Sequence, residues 1–199
     1  MQDIVSSLIS EAFALNWVDW LATVTAILYV WLAAKNNPWC WGWGIISCSL
    51  WAYASFFFYQ LWLDAMLQVF YVAMAFRGWY QWRLGNPDKT PKKISRLPIW
   101  WHVPMLVSGA VLSFIFGYYF AAYTSAAATY WDALTTVFSV IATFLLVQRL
   151  LENWLYWIVT DALYVWLYAS REAWLFSLLM VVYTLIAVWA FLNWRRKVV

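Results

Sequence analysis

From Asn153 to Ala169 the chain reads NWLYWIVTDALYVWLYA, an apolar, tryptophan-rich run with a single carboxylate, Asp161, at its midpoint. Helical spacing places Trp154, Trp157, Asp161, Tyr164 and Tyr168 on one face, so two indoles, a carboxylate and two phenols share a stripe. An ionised aspartate at the centre of a membrane-crossing helix costs about 2.5 to 3.5 kcal/mol on insertion scales, so it faces a cavity or a partner. Two readings follow. Asp161 either bonds a hydroxyl or amide of another helix and holds the bundle together, or supplies counter-charge in a pathway. The indoles favour the second, because their faces attract positive charge and stack on planar rings, a combination that suits a flat cation.

A second face of this kind runs through Asp64, Gln68, Tyr71, Ala75, Trp79 and Trp82. Gln68 lies deep enough to need a hydrogen-bonding partner, whereas Asp64 stands near a helix end where water can satisfy it. Asp19 and Asp132, also near helix ends, read as caps or interhelical acceptors. Lone His102 has no Cys or acidic neighbour in sequence and reads as an interfacial residue. Cys40 and Cys48 are too far apart along a helix to bridge and read as small packing residues. The sequence holds no phosphate-binding loop, nucleophile elbow or metal-ligand cluster, so neither an enzyme nor a cofactor is expected.

These side chains need a membrane scaffold. Of 199 residues, 66% are hydrophobic and only 11% charged, and the mean hydropathy is +0.68, well beyond a soluble domain. The chain reads as one all-α integral membrane domain, 1–199. Seven spans fit, at about 17–34, 39–59, 63–82, 100–121, 131–148, 153–169 and 173–194. Pro38 behind Lys35, Asn36 and Asn37 separates the first two. Gly85, Pro87, Asp88, Pro91, Lys92, Lys93 and Pro98 mark the only substantial polar loop. Ahead of the first span, Ile4, Val5, Leu8, Ile9, Ala12 and Leu15 recur at helical spacing and predict a short interfacial helix.

Basic residues near span ends stay in the cytoplasm. With the N-terminus outside and the C-terminus cytoplasmic, Lys35, Arg83, the loop lysines, Arg149 and Arg195 all fall inside, and only Arg171 falls outside. The spans also repeat. DWLATVTAILYVWLAA from Asp19 aligns with DALTTVFSVIATFLLV from Asp132 at an offset of 113, which also pairs Trp41 with Trp154 and Ser47 with Thr160. An offset of 112 pairs Tyr71 with Tyr183 and Trp82 with Trp194. A three-span unit ends opposite its start, so parallel copies (about 17–82 and 131–194) need a linking span, about 100–121, between them. The result is a 3+1+3 plan of seven transmembrane helices, the SWEET-like arrangement of parallel repeats.

At LQVFYVAMAFRGWYQW (67–82) and ENWLYWIVTDALYVWLY (152–168) the sequence resembles the PnuC-type family of bacterial B-vitamin transporters, across all seven spans. The pattern of Gln68, Gly78, Trp79 and Trp82 with Trp154 and Trp157 carries the resemblance. It implies a homotrimer in the bacterial inner membrane with a pathway in each subunit, and facilitated diffusion of an unphosphorylated vitamin trapped by a cytosolic kinase. Members that carry nicotinamide riboside often have Asn where this chain has Ala75, so the resemblance leans toward the thiamine-carrying branch. The expected substrate is a cationic B vitamin, thiamine ahead of nicotinamide riboside, held by Gln68, Tyr71, Trp154, Trp157, Asp161 and Tyr164. A sugar-type carrier and a non-transporting receptor are the rivals. No nucleic-acid partner is expected.

Overall fold

Every expected span is a helix in the computed structural model, which describes residues 2–85, 88–123 and 129–198; Pro87 of the polar loop lies outside them. α1 (Gln2–Ala14) is followed by α2 (Trp17–Ala34), α3 (Cys40–Tyr53), α4 (Trp62–Leu84), α5 (His102–Tyr123), α6 (Thr129–Val147), α7 (Asn153–Ser170) and α8 (Trp174–Arg195). α3 runs on through a π turn, Ala54–Phe58, and a 3-10 turn, Ile99–Trp101, leads into α5. Four of these helices, α2, the Ile99–Tyr123 segment, α6 and α8, are long and apolar enough to cross a membrane. Of the other four, α1 is short, α3 is interrupted by its π turn, α4 carries Asp64, Gln68, Arg77 and Arg83, and α7 carries Asn153 and Asp161.

Local chemistry sets the ends. Asn16 caps α2 by accepting from the Val18 and Asp19 amides, and Asp19 returns the bond to the Asn16 amide at 3.1 Å, closing a capping box. α2 stops where Asn36 turns left-handed (φ 62°), and the turn after α6 uses Arg149 in the same conformation (φ 59°). α1 is tied back to the bundle by its one described carboxylate: Glu11 accepts from the amides of Trp174 and Leu175, at 3.1 and 2.8 Å, and so caps α8. Its apolar face, with Val5 and Ile9 each 53% exposed, is left outward as an interfacial helix requires.

α2 packs on α3, α3 on α4, α6 on α7 and α7 on α8; α5 leans on α6. Two further contacts, α2 with α8 and α4 with α6, close the ring. Small residues allow the first of these, since Ala33, Ala34, Ala187 and Ala190 are all buried. The outer surface is apolar, as lipid demands: Val69, Phe114 and Leu185 are more than half exposed.

Residues separated by the repeat offsets have matching surroundings. Trp82 Nε1 donates to the Leu146 carbonyl at 3.1 Å, and Trp194 Nε1 donates to the Ala34 carbonyl at 3.0 Å. Trp41 meets Trp82 edge-on at 5.3 Å, Trp154 meets Trp194 edge-on at 5.4 Å, and Trp82 meets Trp194 at 5.6 Å. The four indoles form a fully buried row. At the opposite end, Tyr59 donates to Asp19 at 2.6 Å while Arg171 pairs with Asp132 at 2.8 Å, again one residue short of the 113 offset.

Candidate functional site

Inside the ring lies a cavity of about 220 Å³ with walls from α2, α3, α4, α6, α7 and α8. Its lower end, toward the turns that carry Asn36 and Arg149, is closed by the tryptophan row, of which Trp41 and Trp154 reach the cavity wall. Beneath them the Arg149 side chain acts as a plug. Its guanidinium stands over the Trp82 ring at 4.5 Å, its Nε donates to Asn36 Oδ1 at 2.9 Å, and its Nη1 donates to the Trp82 and Lys92 carbonyls. Burial lowers its proton affinity from the ordinary arginine range, yet a guanidinium stays charged in proteins, so the plug is a fixed cation. The 88–98 loop is strapped across the same turn, through Ser95 to Arg149 and Leu151 and through the Leu97 amide to the Glu152 carboxylate at 2.7 Å.

The wall is mostly aromatic and small. Asp161 is the only carboxylate on it, and no Lys, Arg or His lines it among the described residues. Asp161 is 5% exposed, faces the cavity and forms no ion pair among the described residues; the Tyr183 phenol stands near enough to feel its charge. An ionised carboxylate buried among aromatic side chains carries a desolvation penalty on the order of several kcal/mol, which a bound cation would relieve. No group of three or more His, Cys, Asp or Glu side chains that could hold a metal ion occurs among the described residues.

Of the six residues expected at the site, Gln68, Tyr71, Trp154, Trp157 and Asp161 all stand on this wall. Tyr164 does not. It lies one turn above Asp161 and rotated toward α6, beside Thr135, Thr136 and Ser139, and it stacks on Tyr168 at 5.6 Å. Tyr168 continues to Phe176 and Phe176 to Trp51, giving an aromatic roof. Ala75, where the resemblance often places an amide, does line the cavity. Sequence reasoning missed Trp41, Tyr183 and Cys48. The signal was present, because Trp41, Tyr183 and Cys48 are the repeat counterparts of Trp154, Tyr71 and Asp161, and both members of each pair line the wall.

Other polar residues are engaged elsewhere. Asp64 accepts from the Ser55 hydroxyl, and His102 lies 3.1 Å from the Tyr156 hydroxyl. That pair borders a second cavity, about 320 Å³ between α5, α6 and α7, with no carboxylate among the described residues that line it. Its larger volume does not make it the better site for a polar molecule.

Comparison with known proteins adds the family. Residues 16–196 match the model described as nicotinamide mononucleotide transporter. The chain is 31% identical over 195 residues to the nicotinamide riboside transporter PnuC of Neisseria mucosa, covering 92% of this chain and 73% of that protein. It is 26% identical over 200 residues to PnuC of Escherichia coli, covering 88% and 83%. It is 26% identical over 193 residues to the riboflavin/roseoflavin transporter RibM of Streptomyces davaonensis, covering 93% and 90%. Among solved structures, the crystal structure of the vitamin B3 transporter PnuC superposes with a TM-score of 0.73 at 28% identity, covering 98% of this chain and 89% of that one. These relatives are named for nicotinamide riboside or riboflavin, so the expected lean toward thiamine finds no support in them.

Proposed function

The chain belongs to the nicotinamide mononucleotide transporter family, and from that premise we propose that it carries a flat, cationic, unphosphorylated B vitamin, nicotinamide riboside, across the membrane by facilitated diffusion. The observation that carries the reading is Asp161, a buried carboxylate on the wall of an aromatic cavity that no basic side chain lines among the described residues. The pyridinium ring would stack against Trp157 and Trp154 and set its charge against Asp161, with Gln68 and Tyr71 meeting the polar edge. A phosphate is disfavoured on the same wall, which offers an anion one negative charge and no basic side chain. Riboflavin is neutral and would leave Asp161 uncompensated. Thiamine is the second reading: it is also an aromatic cation, and Ala75 on the wall offers no amide to a carboxamide.

The wider arrangement in this reading is seven spans in a 3+1+3 plan of parallel repeats, with the N-terminus outside and the tryptophan row at the cytoplasmic end of the bacterial inner membrane. The matched Trp82 and Trp194 hydrogen bonds support the repeats, and the basic turns support the orientation. A homotrimer and a cytosolic kinase that traps the vitamin complete it.

The test is uptake into sealed proteoliposomes of nicotinamide riboside, thiamine, riboflavin and a neutral sugar, with and without an imposed ion gradient. Saturable riboside uptake that stops at equal concentrations is the expected result. Accumulation driven by the gradient would overturn the passive mechanism. Preference for the sugar, or binding without uptake, would favour a sugar-type carrier or a receptor respectively.

A further inference from the structure

The second cavity, between α5, α6 and α7, opens on the outer surface of the bundle: Leu106, Leu155 and Val159 line it and are 50%, 43% and 61% exposed. It is a groove that faces the bilayer. The two threonines on its wall spend their hydroxyls on their own helices, Thr135 on the Trp131 and Asp132 carbonyls and Thr160 on the Tyr156 carbonyl. Polarity is left at one end, where the His102 and Tyr156 rings lie 5.9 Å apart and 14° from parallel.

Along α7 the groove runs from Leu155 to Leu163, about 12 Å of helix rise. One leaflet contributes about half of a 30 Å hydrocarbon core, so the groove covers most of the depth that one acyl chain occupies. Its polar end lies beside the 88–98 loop. Leu97 packs against the cluster that contains Tyr156, and its amide is bonded to Glu152, one turn before Tyr156. Trp100 and Trp101, both exposed and stacked at 4.7 Å, mark the interface at this level. The loop carries four basic residues against one acid. Lys93 and Arg96 are exposed and form no ion pair among the described residues.

We propose that this groove binds one acyl chain of an anionic phospholipid, whose phosphate is held at the loop by Lys93 and Arg96. A vitamin would need polar partners along the wall, whereas a flexible hydrocarbon needs only the apolar wall that is there. Charge selects the head group: basic residues at the membrane surface attract an anionic lipid, and a zwitterionic head brings its own cation to them. α7 then serves two sites, with Trp154, Trp157 and Asp161 toward the substrate cavity and Leu155, Val159 and Leu163 toward the lipid. The lipid site is independent of which vitamin is carried.

The probe is phosphatidylglycerol with a diazirine on one acyl chain, photolysed with the full chain in phosphatidylcholine nanodiscs, and the labelled residues are mapped by peptide mass spectrometry. Label is expected to concentrate at Leu106, Leu155 and Val159. Unlabelled phosphatidylglycerol should suppress it at least fivefold more than an equal addition of phosphatidylcholine. The double variant Lys93→Gln, Arg96→Gln, altered only at exposed positions, should lose at least fivefold of the groove labelling, and Arg96→Gln alone at least twofold. Label spread evenly over α2, α4 and α8, equal suppression by the two lipids, or unchanged labelling in both variants would overturn the proposal. A second arm replaces Val159 with benzoylphenylalanine, which is expected to capture lipid on illumination. Capture of a second copy of the chain in its place would make the groove a subunit contact and overturn the lipid site.

Discussion

Arg149 Nε donates to Asn36 Oδ1 at 2.9 Å, joining two left-handed residues 113 positions apart. In the proposed plan of parallel repeats, equivalent residues can touch each other only where the axis relating the repeats passes between them. Trp82 and Trp194, in contact at 5.6 Å, mark a second such point just above. Plug and tryptophan row are therefore one central closure beneath the cavity.

Arg149→Ala should loosen that closure, since it strands Asn36 Oδ1 and the Trp82 and Lys92 carbonyls. Three lost acceptor partners predict a destabilisation of about 2 to 4 kcal/mol, read as a fall in melting temperature. Arg149→Lys should recover only part of it, because an ammonium cannot reproduce the planar fork of donors. Full recovery by lysine would mean that charge alone holds the plug.

Cys48 lines the cavity, while Cys40 is buried in the floor. In a Cys40→Ala background, a small maleimide should modify Cys48, and saturating nicotinamide riboside should slow that reaction at least fivefold. Equal rates with and without riboside would place the ligand elsewhere.

Gly78 allows Trp41 to lie flat on α4: a Cβ there would stand 2.4 Å from the indole. Gly78→Ala must displace that ring, and overpacking of this kind costs about 1 to 3 kcal/mol, so both melting temperature and riboside affinity should fall. Gly42→Ala is the control, because its Cβ would meet Trp79 at an ordinary 3.4 Å. Thermal scans and calorimetry on the two variants read the difference.

Glu11→Ala removes the cap that α1 places on the amides of Trp174 and Leu175. Loss of a helix cap costs about 0.5 to 2 kcal/mol. Proteolysis near the N-terminus should accelerate while uptake persists, since Glu11 is remote from the cavity wall.

Much of this was legible in the sequence, and the pattern of what was not is physical. Apolar runs and their breakers located every helix, because Pro38, the 88–98 loop and the left-handed turns interrupt the chain where the bundle reverses. The Asp161 stripe was legible because helical spacing sets which side chains share a face. Tyr164 was assigned by the same rule and lies outside the wall, since a face about two residues wide turns past the cavity within one further turn. Trp41, Cys48 and Tyr183 face it from helices whose own periodicity shows nothing special. Only the packing of α3 and α8 around the cavity makes them neighbours of Asp161.

The central claim is that Asp161 balances the charge of the transported cation. Its most direct measurement is the uptake KM of nicotinamide riboside and of its uncharged 1,4-dihydro form, in proteoliposomes of the unmodified protein and of Asp161→Asn. The substitution is expected to raise KM for the cation about 10- to 100-fold, or roughly 1.4 to 2.7 kcal/mol, while the dihydro form changes less than threefold. An unchanged ratio between the two substrates would contradict the account.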